Sequence, residues 1–398
     1  MKEPVFYRRK LDNGITVLCE ERMIPVVATA TSVKFGAQFE NKKIKGISHF
    51  MEHLVFKGTT KRDVVQISKE IEDRGGILNA FTSEELTCFW NKMPSKHFHL
   101  GADITRDLVS NPLFEEKALE RERKVVLEEI KMYHDNPTSF IFEKIKELLY
   151  KKPFNISITG TAKTVSQLSR KTILDLHNKV YSSNNLIFSV VGNVDNEEVI
   201  KEAQKFVKKN YAIKPMKIQT SFGTFVHKRK GIDQAHEVLG FHMPSLSHKQ
   251  RHAAELFDNI LGGGMSSRLF QEIREKRGLG YAIKSHLEQS KDYAYEVIYV
   301  GTVKEKIQEV KKLILNEIRK LKELQQRDLS DAKERLIGLR ALSKERCENT
   351  MFELLQEEIA GSAENYYKYE ENISKVKLSE VCNLSTLKNY SFAALIPH

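Results

Sequence analysis

The chain has 398 residues, of which 40% are hydrophobic and 29% are charged. This length favours two domains over one, and this composition excludes an intrinsically disordered chain. The formal net charge of +11 would by itself suit a nucleic-acid-binding protein. However, the lysines and arginines lie in stretches that also carry many glutamates, such as 114–134 and 303–327, which is typical of solvated helix faces. Because no basic stripe is interleaved with aromatic residues, we expect no nucleic-acid partner.

The four cysteines predict neither a zinc knuckle nor a disulfide framework. They are Cys19, Cys88, Cys347 and Cys382, which lie far apart without paired spacing. This usage indicates a reducing compartment. The N-terminal sequence MKEPVFYRRKLDNG lacks the apolar core of a signal peptide, and no run of about eighteen apolar residues occurs. We therefore expect a cytoplasmic protein without a membrane partner.

Hydrophobic periodicity predicts an alternation of strands and helices in the first half of the chain. The predicted strands are 14–20, 26–35 and 186–191, with a hairpin over 77–93. The predicted helices are 62–74, 97–110, 114–133, 138–150, 164–180 and 196–210. Residues 212–224 lack periodicity and predict a linker.

The second half repeats this order of elements. Its predicted strands are 238–243, two within 281–302, and 391–396, and its predicted helices are 249–261, 266–277, 304–324 and 330–360. KEIEDRGGILNAFTS (69–83) matches QEIREKRGLGYAIKS (271–285), and NLIFSVV (185–191) matches NYSFAAL (389–395), both at an offset close to half the chain. We therefore predict an α+β fold of two duplicated domains, 1–211 and 225–398, each a mostly antiparallel β-sheet with helices packed on it.

The segment GISHFMEHLVFKG combines three ionisable side chains with an apolar helix. His49 and His53 are one helical turn apart, so both imidazoles project from the same face and can share one metal ion. Glu52 lies beside that face, where a carboxylate can reach a metal-activated water and take its proton. The alternative is a helix whose polar residues merely face solvent, and the motif alone does not exclude it.

A catalytic zinc usually has three protein ligands and one open position, so a third ligand should come from another element. In RERKVVLEEIKMY, Glu122 and Glu129 are seven residues apart and share one helix face, whereas Glu128 points about 100° away. By residue type, either Glu128 or Glu129 is a suitable ligand. The segment could equally be a charged amphipathic helix.

These motifs together resemble the pitrilysin/insulinase family of zinc metallopeptidases, in the branch that includes the mitochondrial processing peptidase and its bacterial and archaeal relatives. The resemblance rests on HFMEHLVFKGT and on Glu129 within ERERKVVLEEI. It extends over essentially the whole chain, because GGILNAFTSEELT and GGGMSSRLFQEIREKRGLGY also match. It implies that one zinc ion per chain is held by His49, His53 and Glu129, with Glu52 as the general base and Glu122 as a supporting carboxylate.

The resemblance also implies residues that act on the substrate. Asn79, Ala80, Phe81 and Thr82 would belong to an edge strand that pairs with an extended peptide. Arg274 and Tyr281 match an arginine and a tyrosine that approach the substrate carbonyl, where both are suitable donors for an oxyanion. Because the family encloses its peptide substrates in a chamber of four such domains, a two-domain chain implies a homodimer.

The expected function is therefore zinc-dependent endopeptidase activity on peptides or on unfolded or presequence-like segments. The alternative is a non-catalytic scaffold or partner subunit of a complex similar to the processing peptidase. Relatives of that kind have usually lost the metal motif, whereas every metal position is intact here. The residues do not separate general peptide degradation from the maturation of one precursor.

Overall fold

The computed structural model describes residues 5–398 as two compact units. Its strands, in chain order, are β1 (Val5–Lys10), β2 (Thr16–Glu21), β3 (Val26–Val33), β4 (Ile77–Thr82), β5 (Thr87–Pro94), β6 (Leu186–Gly192), β7 (Thr224–Arg229), β8 (Ala235–His242), β9 (Ala282–Gln289), β10 (Ala294–Thr302) and β11 (Ser391–Pro397). Its α-helices are α1 (Ile47–Val55), α2 (Val64–Glu72), α3 (Phe98–Ser110), α4 (Glu116–Asp135), α5 (Pro137–Leu149), α6 (Ala162–Gln167), α7 (Arg170–Val180), α8 (Asn196–Gln204), α9 (Arg251–Gly262), α10 (Ile307–Lys320), α11 (Gln326–Ser343), α12 (Cys347–Ala360), α13 (Tyr369–Lys375) and α14 (Leu378–Leu384). No helix in this part of the chain is both long and apolar enough to cross a membrane.

Each unit is built on one mostly antiparallel sheet. The first sheet has the strand order β1-β2-β6-β3-β5-β4, and the second has the order β7-β11-β8-β10-β9. In the first sheet only β2 and β6 are parallel neighbours, and in the second only β7 and β11 are. The series β2-β6-β3-β5-β4 is thus reproduced, in order and direction, by β7-β11-β8-β10-β9. This correspondence confirms the predicted α+β fold with a duplicated design.

One helix from each half of the chain belongs to the unit that is built mainly from the other half. The predicted domain boundaries do not include this. The second unit takes residues 132–155 in addition to 218–342 and 367–398, and the first unit takes 343–366. Within the second unit, α5 packs on β8 and β11, and within the first unit α12 packs on β3 and β6. The division therefore differs from 1–211 and 225–398, because apolar contacts across the sheet, rather than chain continuity, decide which sheet a helix covers.

Several element boundaries also differ from the predicted ones. The predicted helix over 164–180 is divided into α6 and α7, because the hydroxyl of Ser169 caps a new helix by accepting from the backbone N–H of Thr172. The predicted helix over 330–360 is likewise two helices, α11 and α12. The segment 266–277 contains a π-helix, Phe270–Glu275. Strand β7 begins at the end of the predicted linker, and β1, α13 and α14 were not predicted.

Helix α1 packs its apolar face into the core of the first unit. The buried apolar side chains belong to Ile47, Phe50, Met51, Leu54 and Val55. Burial of each such side chain stabilises the fold by roughly 1.5–3 kcal/mol. Because these positions recur every three or four residues, His49, Glu52 and His53 are left on the opposite face, where all three are half-buried.

The core of the second unit contains a carboxyl group in an unusual state. Glu237 on β8 is fully buried, and neither of its carboxyl oxygens has a hydrogen-bond partner among residues 5–398. Burial raises the pKa of Glu237 to about 9, although the charge of Lys311 acts in the opposite direction. Between pH 4.5 and pH 9, this group therefore holds a proton in the folded chain but not in the unfolded chain.

Folding stability should consequently fall as the pH rises through that window, by up to about 1.4 kcal/mol per pH unit. Glu237→Gln keeps the shape and removes the titration, so we expect its stability advantage over the wild type to grow by on the order of 4 kcal/mol between pH 5 and pH 8. Urea unfolding at both pH values measures this difference. Glu323→Gln, at an exposed position of the same unit, is the control. An advantage of Glu237→Gln that does not change with pH would contradict the assignment.

Candidate metal centre

The two histidines of α1 and one glutamate of α4 meet at a single point. Nε2 of His49 lies 3.6 Å from Oε2 of Glu129, and Nε2 of His53 lies 3.5 Å from the same oxygen. The imidazole rings of His49 and His53 are 4.7 Å apart between centroids. In a tetrahedral zinc site with bonds near 2.1 Å, neighbouring ligand atoms are about 3.4 Å apart. The spacing and the donor types therefore both fit zinc.

Within residues 5–398, these three residues form the one group of metal-ligating side chains that could hold an ion, with ligand atoms all within 4.8 Å of one another. Nδ1 of His49 is buried and makes no hydrogen bond in this part of the chain. Two imidazoles and a carboxylate with one open position are the donor set of many catalytic zinc sites.

The geometry decides between the two adjacent glutamates of α4. The side chain of Glu128 is 71% exposed and forms a 2.6 Å ion pair with Lys131. Glu129, on the face that α4 turns toward α1, approaches both histidines. Glu129, and not Glu128, therefore lies close enough to the two histidines to be the third ligand.

Glu122 contacts the other side of His53. Its Oε2 lies 3.5 Å from Nδ1 of His53, and its Oε1 lies 3.1 Å from Nζ of Lys57. A carboxylate on the ring nitrogen that faces away from the metal orients the imidazole and increases its basicity. Lys57 was not predicted, although its place four residues after His53, in the turn that follows α1, is a signal that could have identified it.

Glu52 is held by the strand next to α1. Strand β4 is the edge strand of the first sheet, as predicted, and side chains on one face of it point toward α1. The hydroxyl of Thr82, at the end of β4, donates a hydrogen bond to the Glu52 carboxylate. This contact connects the predicted peptide-binding strand to the predicted base, and nothing in the local sequence indicated it.

Burial and charge set the protonation of these groups. Burial and the charge of His53 lower the pKa of His49. Burial also acts to lower the pKa of His53, but the hydrogen bond and charge of Glu129 outweigh it and raise that pKa. Burial raises the pKa of Glu52, against the hydrogen bond from Thr82. Glu129 thus attracts positive charge toward both imidazoles, which is the electrostatic condition for binding a divalent cation.

The chain matches two family models in tandem. The model of the insulinase family, peptidase family M16, matches residues 16–162, and the model of the peptidase M16 inactive domain matches residues 167–336. An uncharacterised zinc protease from Rickettsia felis is 36% identical over 333 residues, which are 81% of this chain and 79% of that protein. This chain belongs to the insulinase family of peptidases.

A second relative and a solved structure are also similar to this chain. An uncharacterised zinc protease from Bacillus subtilis is 30% identical over 352 residues, which are 86% of this chain and 86% of that protein. A protease of known structure from Helicobacter pylori shares the fold with a TM-score of 0.92 at 22% identity, covering 99% of this chain and 100% of that one.

The second unit has no counterpart of the metal motif, in keeping with the family model that matches most of it. Helix α9 packs on the edge strand β9 as α1 packs on β4. Its sequence, RHAAELFDNILG, contains no His-x-x-Glu-His motif. A strand hydroxyl contacts a helix carboxylate here too, since Ser285 on β9 donates to Asp258 on α9, but Ser285 matches Ser83 and not Thr82 in the repeat.

Arg274 and Tyr281 lie together in the second unit. The guanidinium of Arg274, in the π-helix, lies 5.0 Å from the centre of the Tyr281 ring and 4.8 Å from that of Phe270. The Tyr281 side chain is 79% exposed. An exposed tyrosine next to a guanidinium presents two hydrogen-bond donors to solvent. The contact of both with a substrate carbonyl stays a prediction.

Proposed function

We propose that this protein is a zinc-dependent endopeptidase with one zinc ion per chain, bound by His49, His53 and Glu129. The observation that carries the proposal is the convergence of these three ligand atoms beside the half-buried carboxylate of Glu52. A bound zinc ion supplies Lewis acidity, which makes a water molecule acidic near neutral pH and polarises a peptide carbonyl. The family membership and the zinc proteases among the relatives support the same function.

Glu52 is the proposed general base. Its carboxylate takes a proton from the attacking water and passes it to the nitrogen of the leaving amine. Burial raises its pKa and so makes it a better proton acceptor than an exposed glutamate. Thr82 keeps the carboxylate oriented by its hydrogen bond.

The proposed substrate is an extended peptide that pairs with the edge strand β4. An edge strand presents unpaired backbone N–H and C=O groups, to which a peptide can add as a further strand. In β4, Asn79 and Phe81 are exposed, whereas Ala80 and Thr82 are half-buried on the side of α1. A peptide paired with this strand lies next to Glu52, because Thr82 contacts both the strand edge and the base.

We further propose that the protein acts as a homodimer in which Tyr281 and Arg274 donate hydrogen bonds to the oxyanion. A tyrosine hydroxyl and a guanidinium both suit this role. In a closed two-fold dimer, these residues of one copy would serve the site of the other copy, and two equal sites would form.

The function is tested by metal content and by chelation. We expect about one zinc per chain in the purified protein, and we expect a chelator to stop the cleavage of an unstructured peptide, with recovery when zinc is added back. Elemental analysis and a fluorogenic peptide assay measure both. A protein that binds zinc but cleaves no peptide would favour a non-catalytic partner subunit, and unchanged cleavage in chelator would refute the zinc peptidase.

A further inference from the structure

The segment before α1 contains an ion pair that is completely buried. The side chains of Glu40 and Lys45 are both 0% exposed, and Nζ of Lys45 lies 3.7 Å from Oε2 of Glu40. A buried ion pair contributes little net stability, since desolvation of the two charges offsets their attraction. Its presence next to the motif helix therefore calls for a reason other than stability.

Glu40 satisfies the N-terminus of α1. The first residues of a helix have backbone N–H groups without partners inside the helix. The N-cap residue of α1 is Gly46, which has no side chain to accept from them. The Glu40 carboxylate accepts instead, from the N–H of Gly46 at 2.9 Å and from the N–H of Ser48 at 2.8 Å. A carboxylate at this end of a helix is also favoured by the helix dipole.

No residue with a side chain can replace Gly46 without a shift of the backbone. Gly46 has a φ of 94°, and a Cβ atom there would lie 2.6 Å from the carbonyl oxygen of Thr159. A capping side chain at the N-cap position itself is therefore excluded by this close approach. The cap must come from a residue outside the helix, and Glu40 supplies it.

Lys45 connects this cap to the strand that holds the base. Its ammonium group donates to the carbonyl of Ala37 at 2.7 Å. The backbone N–H of Ala37 in turn donates to the carbonyl of Ser83, and the N–H of Gln38 donates to that of Glu84. Residues 83 and 84 follow directly on Thr82, whose hydroxyl contacts Glu52.

We infer that Glu40 and Lys45 are positioning residues of the metal centre, an inference that rests on the proposed zinc function. Hydrogen bonds and the Glu40–Lys45 ion pair link the N-terminus of α1 through Ala37 to the residues that follow β4, and the hydrogen bond from Thr82 to Glu52 returns to α1. This path holds α1 at its N-terminus and at Glu52. It sets the depth and rotation at which His49 and His53 face Glu129.

The test compares zinc binding in variants of the full chain. Glu40→Gln keeps one oxygen acceptor and removes the charge, Lys45→Met removes the ammonium group, and the double variant leaves no charge buried alone. In each case we expect the zinc dissociation constant, measured by competition with a chromogenic chelator, to rise by roughly ten- to a hundredfold, as for other supports of metal ligands. The visible spectrum of the cobalt-substituted protein should change as well, because it reports ligand geometry.

Glu202→Gln is the matched control. Glu202 is a buried carboxylate of the same unit, 2.9 Å from Arg106 and remote from the motif in the chain. The Glu202→Gln substitution should lower the unfolding temperature but leave the zinc affinity within about twofold of the wild-type value. A double variant with wild-type zinc affinity and cobalt spectrum would overturn the inference, as would an equal loss of zinc affinity in Glu202→Gln. Failure of the wild-type protein to bind zinc would instead refute the proposed function.

Discussion

Replacing Glu52 with glutamine should lower the turnover of a peptide substrate by roughly a thousandfold while the protein keeps its zinc. Glutamine has the size of glutamate and can still accept the hydrogen bond from Thr82. It cannot take a proton from water near neutral pH. Because Glu52 is not among the three residues whose ligand atoms converge, the zinc content should stay near one per chain.

The measurement is kcat for a fluorogenic peptide, together with zinc content by elemental analysis. Glu128→Gln is the control, since it removes one carboxylate of similar charge from an exposed position near the site. It should leave kcat within about twofold, as expected for a substitution at the surface. A Glu52→Gln protein with nearly full turnover would exclude Glu52 as the general base.

The same variant tests the proposed dimer. Glu52→Gln and Tyr281→Phe homodimers should both have low activity, for loss of the base and of an oxyanion donor. After subunit exchange about half of the dimers are mixed, and each mixed dimer has one site with both groups intact, so activity should approach roughly a quarter of the wild-type value. If Tyr281 serves the zinc of its own chain, no activity returns even though exchange is confirmed by labelled subunits.

Replacing Glu129 with glutamine should weaken zinc binding by more than a hundredfold, which exceeds the ten- to hundredfold typical of residues that only support ligands. An amide is a poor zinc ligand, and it no longer balances the charge of the ion beside two imidazoles. Glu122→Gln, which affects the far side of His53, should weaken zinc binding only within that smaller range. Competition with a chelator of known affinity measures each dissociation constant.

Glu128→Gln distinguishes the two adjacent glutamates directly. It should retain wild-type zinc affinity, because Glu128 pairs with Lys131 at the surface. Loss of zinc in Glu128→Gln together with retention in Glu129→Gln would show that α4 presents the other face to α1 in solution. In that case the candidate metal centre would have to be rebuilt around Glu128.

Local spacing was sufficient to predict the parts of the site that lie on one element. His49, Glu52 and His53 fall on the polar face of α1 because the apolar residues between them occupy the other face. The duplication was also evident, since segments half a chain apart match, and two sheets with corresponding strand order confirm it. Both are short-range patterns, and a periodicity of 3.6 residues or a repeated string is visible without any tertiary contact.

The tertiary structure decided everything that depends on which elements meet. Spacing along α4 left Glu128 and Glu129 equally suitable, and only the packing of α4 against α1 shows that Glu129 approaches the histidines. The exchanged helices α5 and α12, the cap that Glu40 places on α1, and the contact of Thr82 with Glu52 are likewise invisible in the sequence. In each of these contacts, the sequence around one residue does not indicate the other. The burial of apolar surface in the folded protein is what brings such residues together.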